Sequence, residues 1–209
     1  MNAGIPKQFI ILAGKPLLMH TLNAFADFDA EMPLLVTLPK QHFKYWKTLC
    51  RDYTFKIKHQ IIEGGETRFH SVRNALNYIP DGIWLAIHDG VRPMITKSMI
   101  ELCFNEALSM GNAIPVISTN ESLRIIDGSF SHPFDRSSIR IVQTPQVFPS
   151  SLIKKAYQQN FKADFTDDAT VFESFGEKIH LTAGDPRNIK ITNPIDLLVA
   201  KTFFDESKD

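Results

Sequence analysis

Apolar residues along this chain fall into short runs separated by stretches with helical spacing. Phe9-Ile10-Ile11-Leu12, Pro33 to Leu38, Ile57 to Ile62, Trp84 to Asp89 and Ala113 to Ile117 read as strands. Runs of that length, mostly apolar or alternating and bounded by breakers, suit a sheet covered on both faces. Between them Leu18, Leu22, Phe25 and Phe28 recur every three or four residues, as do Phe69, Val72, Leu76 and Ile79. Such spacing lines one face of a helix. Helices are therefore predicted at 18–28 and 66–78, with others over about 41–52 and 97–110. The alternation predicts an α/β fold with a largely parallel sheet.

The rhythm breaks between about residues 118 and 142. Leu123-Arg124-Ile125-Ile126, a turn at Asp127-Gly128, and Ile139-Arg140-Ile141-Val142 read as a β excursion from one domain spanning 1–209. An arm of that thickness is not stable alone, so a second subunit is expected against it. The α/β pattern then resumes with helices over 150–160 and 168–175 and a strand at 178–182. A last helix begins at Pro194, a favourable first-turn residue, and is predicted to carry Leu197, Leu198 and Phe203 inward.

Composition narrows the classes of function. Of 209 residues, 44% are hydrophobic and 22% charged, as in an ordinary globular protein. Lysine plus arginine equals aspartate plus glutamate at 23 each, so no global basic field favours nucleic acid and any anion site must be local. Cys50 and Cys103 stand apart without metal-type spacing and are expected as reduced thiols. No apolar run approaches the ~20 residues of a membrane span and no signal peptide opens the chain, so a cytoplasmic location is expected.

Several segments carry candidate chemistry, each with a plain structural reading beside it. Ile87-His88-Asp89-Gly90-Val91-Arg92-Pro93 ends a strand, where open α/β sheets place their ligands. Asp89 there suits a divalent metal and Arg92 a phosphate, unless the two form a simple surface ion pair. His88 reads as a packed, hydrogen-bonded residue ahead of a catalytic one. Pro6-Lys7-Gln8 holds a lysine in a proline-fixed loop. Gly64-Gly65-Glu66-Thr67-Arg68-Phe69-His70-Ser71 joins a strand to a helix, where paired glycines admit a phosphate or planar ligand, or merely tight packing. Thr144-Pro145-Gln146 is a rigid polar turn. Thr166-Asp167-Asp168 reads first as a helix cap, and Arg187 to Thr192 places polar side chains near the C-terminus.

Taken in order, Pro6-Lys7-Gln8, Gly65 to Val72, His88 to Pro93, Thr144-Pro145-Gln146 and Asn188-Ile189-Lys190-Ile191-Thr192 closely resemble the 2-C-methyl-D-erythritol 4-phosphate cytidylyltransferases of the non-mevalonate isoprenoid pathway. The resemblance spans essentially the whole chain. It implies a Rossmann-like nucleotidyltransferase fold, with a twisted, mostly parallel sheet, helices on both faces and a protruding β-arm for dimerisation. It also implies transfer of CMP from CTP to a sugar-alcohol phosphate, with release of pyrophosphate. By position, Lys7 matches the lysine at the α-phosphate and Asp89 the magnesium-binding aspartate. Gly65, Glu66 and Ser71 match the cytosine pocket, with Gly90 also on the nucleotide side. Arg92 and Thr144 match substrate or phosphate contacts, and Thr166 is a further candidate. Arg136 and Lys190 match the pair that positions the acceptor, and Ser122 falls near an arm position that reaches the neighbouring subunit's substrate.

The chain departs from the family's pattern twice. The family opens with a strand and a glycine-rich loop whose arginine would fall immediately before Met1. The expectation is an internal start or a truncation, with weak activity for the chain as written. Arg187 stands where the family often has an acid that supports the metal, and Asp185 lies two residues away. The competing readings are a ribitol-5-phosphate cytidylyltransferase and a catalytically silent nucleotide-binding scaffold.

Overall fold

The computed structural model describes residues 5–206. The first four residues of the loop-like opening that the sequence suggests over Met1 to Gln8 lie outside them. Beyond a 3-10 turn at Lys7–Phe9, a small hairpin pairs β1 (Ile11–Leu12) with β2 (Lys15–Pro16). The expected strand at Phe9–Leu12 is thus half turn, because Ile10 N–H closes onto the Lys7 carbonyl. Then follow α1 (Leu17–Phe28), β3 (Leu35–Leu38), α2 (Phe43–Asp52), β4 (Gln60–Glu63), α3 (Arg68–Leu76), β5 (Trp84–Ile87), α4 (Lys97–Met110) and β6 (Ile114–Ile117). The second half adds β7 (Leu123–Asp127), β8 (Phe130–Phe134), β9 (Ile141–Val142), β10 (Gln146–Pro149), α5 (Ser150–Ala156), α6 (Asp168–Ser174), β11 (Leu181–Ala183) and α7 (Pro194–Glu206).

Capping chemistry explains the clearest boundaries. The Thr96 hydroxyl accepts the Met99 N–H at the start of α4, and Gly111 ends it in the left-handed region at φ 93°. Asp167, not Thr166, caps α6, in a reciprocal box with Thr170.

The sheet mixes directions. β3 runs parallel to β4 and β6 parallel to β11, whereas β10 is antiparallel to β5 and β9 antiparallel to β6. A bridge between Ala113 and Val147 joins the β5–β10 pair to β6. One face of β5 packs Leu85 and Ile87 on the Phe69–Phe148–Phe172 core, and the other packs Trp84 and Ala86 beside Met99, Cys103 and Val147. The strand is nevertheless only half-buried, because among the described residues no strand pairs with its edge away from β10.

Three further expectations are corrected. The hairpin partner of β7 is β8, in register from Leu123 opposite Phe134 to Asp127 opposite Phe130, whereas the Ile141–Val142 strand returns to the main sheet on β6. Leu198 on α7 faces outward at 67% exposure, while Leu197 and Phe204 pack near Leu12, Leu17 and Ile191. The strand predicted at 178–182 starts later, at Leu181. Both cysteines are free, and burial, with Glu106 nearby, pushes the Cys103 thiol up to about 12.

Candidate active site

The loop after β5 carries the main cluster. Asp89 lies two residues past the end of the strand, and the turn is closed by Arg92 N–H on the Asp89 carbonyl at 3.0 Å. Gly90 fits tightly there, since a Cβ would sit 3.0 Å from Leu18 Cδ1. The segment ahead of α7 is tied to the same loop by Ile191 N–H on the Val91 carbonyl at 2.9 Å. That bond delivers Lys190 to the carboxylate.

Three cations converge on Asp89. Lys190 Nζ and Arg92 Nε each lie 3.2 Å from Oδ2, and Arg68 Nε lies 3.6 Å from Oδ1. Burial alone would raise the Asp89 pKa, but Arg68, Lys190 and Arg92 outweigh it and hold the group down to about 2. The carboxylate is therefore charged throughout the working range.

Arg68 is itself fixed from behind. Asp168, fully buried, accepts both guanidinium nitrogens at 2.8 and 2.5 Å and also the Tyr157 hydroxyl at 2.5 Å. Burial opposes the charge on Arg68, but Asp168 overcomes it and raises the pKa. Three cations thus face two carboxylates, Asp89 and Asp168. The cluster keeps a surplus positive charge suited to phosphate.

The glycine turn lies beside it. Gly64 N–H bonds the Leu38 carbonyl at 2.8 Å, tying the turn to the end of β3. A Cβ on Gly65 would collide with His70, so only glycine lets the chain lie this close to the start of α3. Ser71 Oγ donates to the Thr67 carbonyl and accepts Gly65 N–H, both at 3.0 Å. Gly65 and Glu66 are exposed on the same turn.

Other candidates are placed differently. Arg92 and Thr144 are buried, at 8% and 4% exposure, rather than presented to solvent. Arg92 Nη1 donates to the Asn188 carbonyl at 2.7 Å, and the Thr144 hydroxyl is engaged by Asp89 N–H and His88. Both therefore stand behind the carboxylate, tied to the segments that carry it. Lys7 is exposed on the Lys7–Phe9 turn and has no ion pair among the described residues. Ser122 and Arg136 are exposed on the arm, where Arg136 Nη1 donates to the Asn120 carbonyl. Thr166 is exposed beside the α6 cap. Asp185 directs both carboxylate oxygens to Arg187, at 2.8–3.2 Å.

Arg68 and Asp168 escaped the sequence reading as partners because 100 positions separate them. One signal was available. An arginine at the first position of a helix is disfavoured by the helix dipole and invites a search for its anion.

Among the described residues no three His, Cys, Asp or Glu side chains gather as a metal cage. Magnesium often binds through one or two protein carboxylates and otherwise through substrate phosphates and water. Asp89 supplies a charged carboxylate of that kind, with Oδ2 shared by Lys190 and Arg92.

A sheet that presents one carboxylate among three cations at its strand ends, beside a glycine turn entering a helix, defines a site suited to phosphate-bearing ligands. The family model of 2-C-methyl-D-erythritol 4-phosphate cytidylyltransferase matches residues 1–206. Relatives of that name include a Bacteroides fragilis protein, 46% identical over 200 residues, with 96% of this chain and 91% of the relative covered. Another, from Porphyromonas gingivalis, is 46% identical over 203 residues, covering 96% and 90%. The crystal structure of the Thermus thermophilus enzyme of that name matches with a TM-score of 0.82 at 28% identity, covering 96% of this chain and 94% of that one. The Francisella tularensis enzyme gives 0.82 at 30% identity, covering 95% and 93%. The chain belongs to the 2-C-methyl-D-erythritol 4-phosphate cytidylyltransferase family and is a nucleotidyltransferase.

Proposed function

We infer that this chain transfers CMP from CTP to 2-C-methyl-D-erythritol 4-phosphate and releases pyrophosphate, a step of isoprenoid precursor synthesis. The observation that carries this reading is the Asp89 carboxylate among Arg68, Arg92 and Lys190 at the end of β5, in a chain of this family. Nothing found favours a ribitol phosphate acceptor or a silent scaffold. Purified protein supplied with CTP and each acceptor tests the reading. Pyrophosphate release with methylerythritol phosphate is expected to exceed that with ribitol 5-phosphate by at least tenfold, and equal or reversed rates would overturn it.

The chemistry needs no general base. A phosphate monoester has a second pKa of ~6, so at neutral pH the acceptor is already largely a dianion. Its oxygen attacks the α-phosphorus of CTP, the bond to the β-phosphate oxygen breaks, and the electron pair leaves with pyrophosphate. The protein's task is alignment and charge neutralisation. Asp89 is assigned to hold magnesium, which when bound neutralises phosphate oxygens. The exposed Gly65–Glu66 turn and Ser71 are assigned to the cytosine, with Gly90 on the nucleotide side, and Lys7 to the α-phosphate. Lys190, already held at the cluster, is assigned to the acceptor.

The two lysines are expected to differ in kinetic effect. Lys7→Ala should depress the chemical step, because its charge meets charge building in the transition state. Lys190→Ala should mainly weaken acceptor binding. Single-turnover kinetics separate the two, and identical patterns would contradict the division.

The arm supports a homodimer. Ile126 is 73% and Phe130 81% exposed on a two-stranded hairpin that has, among the described residues, no other strand beside it, and apolar surface of that kind favours a partner. In this arrangement Arg136 and Ser122 reach the acceptor of the other subunit. Arg136→Ala is expected to raise the acceptor KM by on the order of 10- to 100-fold, the loss of one charge-assisted phosphate contact, with CTP binding nearly intact. An effect confined to CTP, or a monomer in sedimentation, would contradict this. Among the described residues no helix is long and apolar enough to cross a membrane; the cytoplasm is our placement for an enzyme of this family. Its balanced charge gives no reason to add nucleic acid to its partners.

A further inference from the structure

The geometry points to His88 as a positioning residue for the reaction, acting through Thr144 to fix the backbone that carries Asp89. It rests on the reading of Asp89 given above. His88 Nε2 lies 3.3 Å from the Arg92 carbonyl, which can only accept, and on this assignment Nε2 carries the ring proton. In the neutral ring Nδ1 is then bare. It lies 3.0 Å from Thr144 Oγ1, so the hydroxyl donates to it. With its proton committed, Thr144 Oγ1 turns a lone pair to the Asp89 N–H, which donates to it at 3.0 Å. The chain of donors runs one way, from Asp89 N–H to the Thr144 hydroxyl to the His88 ring, and from the ring to the Arg92 carbonyl. Arg92 N–H closes the loop on the Asp89 carbonyl at 3.0 Å.

Both ends of this chain are anchored. The Phe25 ring meets His88 edge-on at 5.2 Å, and Asn188 Nδ2 donates to the Thr144 carbonyl at 2.8 Å. Asn188 is fully buried, and its own carbonyl accepts Arg92 Nη1 at 2.7 Å. The His88 ring is thus the acceptor that decides which way the Thr144 hydroxyl points. Without it the hydroxyl proton has no fixed acceptor, and the lone pair turned to Asp89 N–H is no longer held in place. A ring proton on Nδ1 would remove the same acceptor.

The test combines a spectroscopic and a kinetic readout. In protein labelled with nitrogen-15 at histidine, His88 is expected to show a protonated Nε2 and a bare Nδ1 at neutral pH. In Thr144→Val, Asp89 amide exchange should quicken by at least tenfold. In turnover assays Thr144→Val and His88→Leu should each lower kcat by tenfold or more and raise the magnesium concentration for half-maximal rate, with KM for CTP little changed. Thr144→Ser should recover most of that loss, and His88→Asn, whose amide oxygen can accept the hydroxyl, part of it. The double variant Thr144→Val/His88→Leu should be no worse than the poorer single, because the two act in series. A proton on Nδ1, multiplicative effects in the double variant, or unchanged magnesium dependence in both singles would overturn the proposal. Asp89→Asn, run alongside, separates the two levels. If it leaves turnover unchanged, the reading of Asp89 fails; if it abolishes turnover while the His88 and Thr144 variants behave as wild type, only this inference fails.

Discussion

Asp89→Asn is expected to lower kcat by on the order of 10²- to 10³-fold, the usual loss when one preorganised charge-handling group is removed. The fold should persist. Asparagine keeps an oxygen for Lys190 and Arg92, and Arg92 retains the Asn188 carbonyl. The amide supplies no charge for a divalent ion, so magnesium dependence should weaken together with the rate. KM for CTP should rise little, because Lys7 and the Gly65–Glu66 turn, assigned to the nucleotide, are untouched. Steady-state rates over a magnesium titration check this, with far-ultraviolet circular dichroism as the control for folding. Turnover within threefold of wild type would reduce Asp89 to a residue at the end of a strand.

The second large effect is on stability. Arg68→Met removes the bidentate partner of Asp168, whose carboxylate is fully buried and left with the Tyr157 hydroxyl. Breaking a buried pair from one side typically costs about 3–5 kcal/mol, because the remaining charge has lost its compensation. For a chain of this size that corresponds to a fall in Tm on the order of 10 °C. Adding Asp168→Leu should recover most of the loss, since an apolar pair of similar volume avoids the stranded charge. Activity should stay low in the double variant, which still lacks the cation 3.6 Å from Asp89. Thermal unfolding and turnover of the three proteins check both halves. A single variant as stable as wild type would show that the buried pair contributes nothing.

Much of the fold was legible because local chemistry and packing agreed. The helix at Lys97–Met110 follows from its apolar period, the Thr96 cap and Gly111 beyond its end. The arm was harder. β8 contains His132 and Pro133, and its residues are mostly exposed, so no alternation marks it as a strand. Ile139 to Val142 has the stronger strand pattern, yet its last two residues pair with β6 and not with β7. Which strand pairs with which is a tertiary matter that periodicity does not encode. The site divides in the same way. Asp89, Arg92 and Lys190 were legible from the order of short segments. The Arg68–Asp168 pair depends on helices far apart in sequence, and the inward direction of Thr144 depends on how the turn packs against the β5 loop.

The most direct test of the account is the fate of oxygen in the acceptor. With methylerythritol phosphate carrying oxygen-18 in its three non-ester phosphate positions, phosphorus NMR can follow the label through one round of turnover. Direct attack by the dianion predicts that the cytidyl diphosphate product keeps all three labels, one of them in the new bridge, and that the released pyrophosphate carries none. Label in the pyrophosphate, loss of label to water, or a cytidylyl group left on the protein would contradict it.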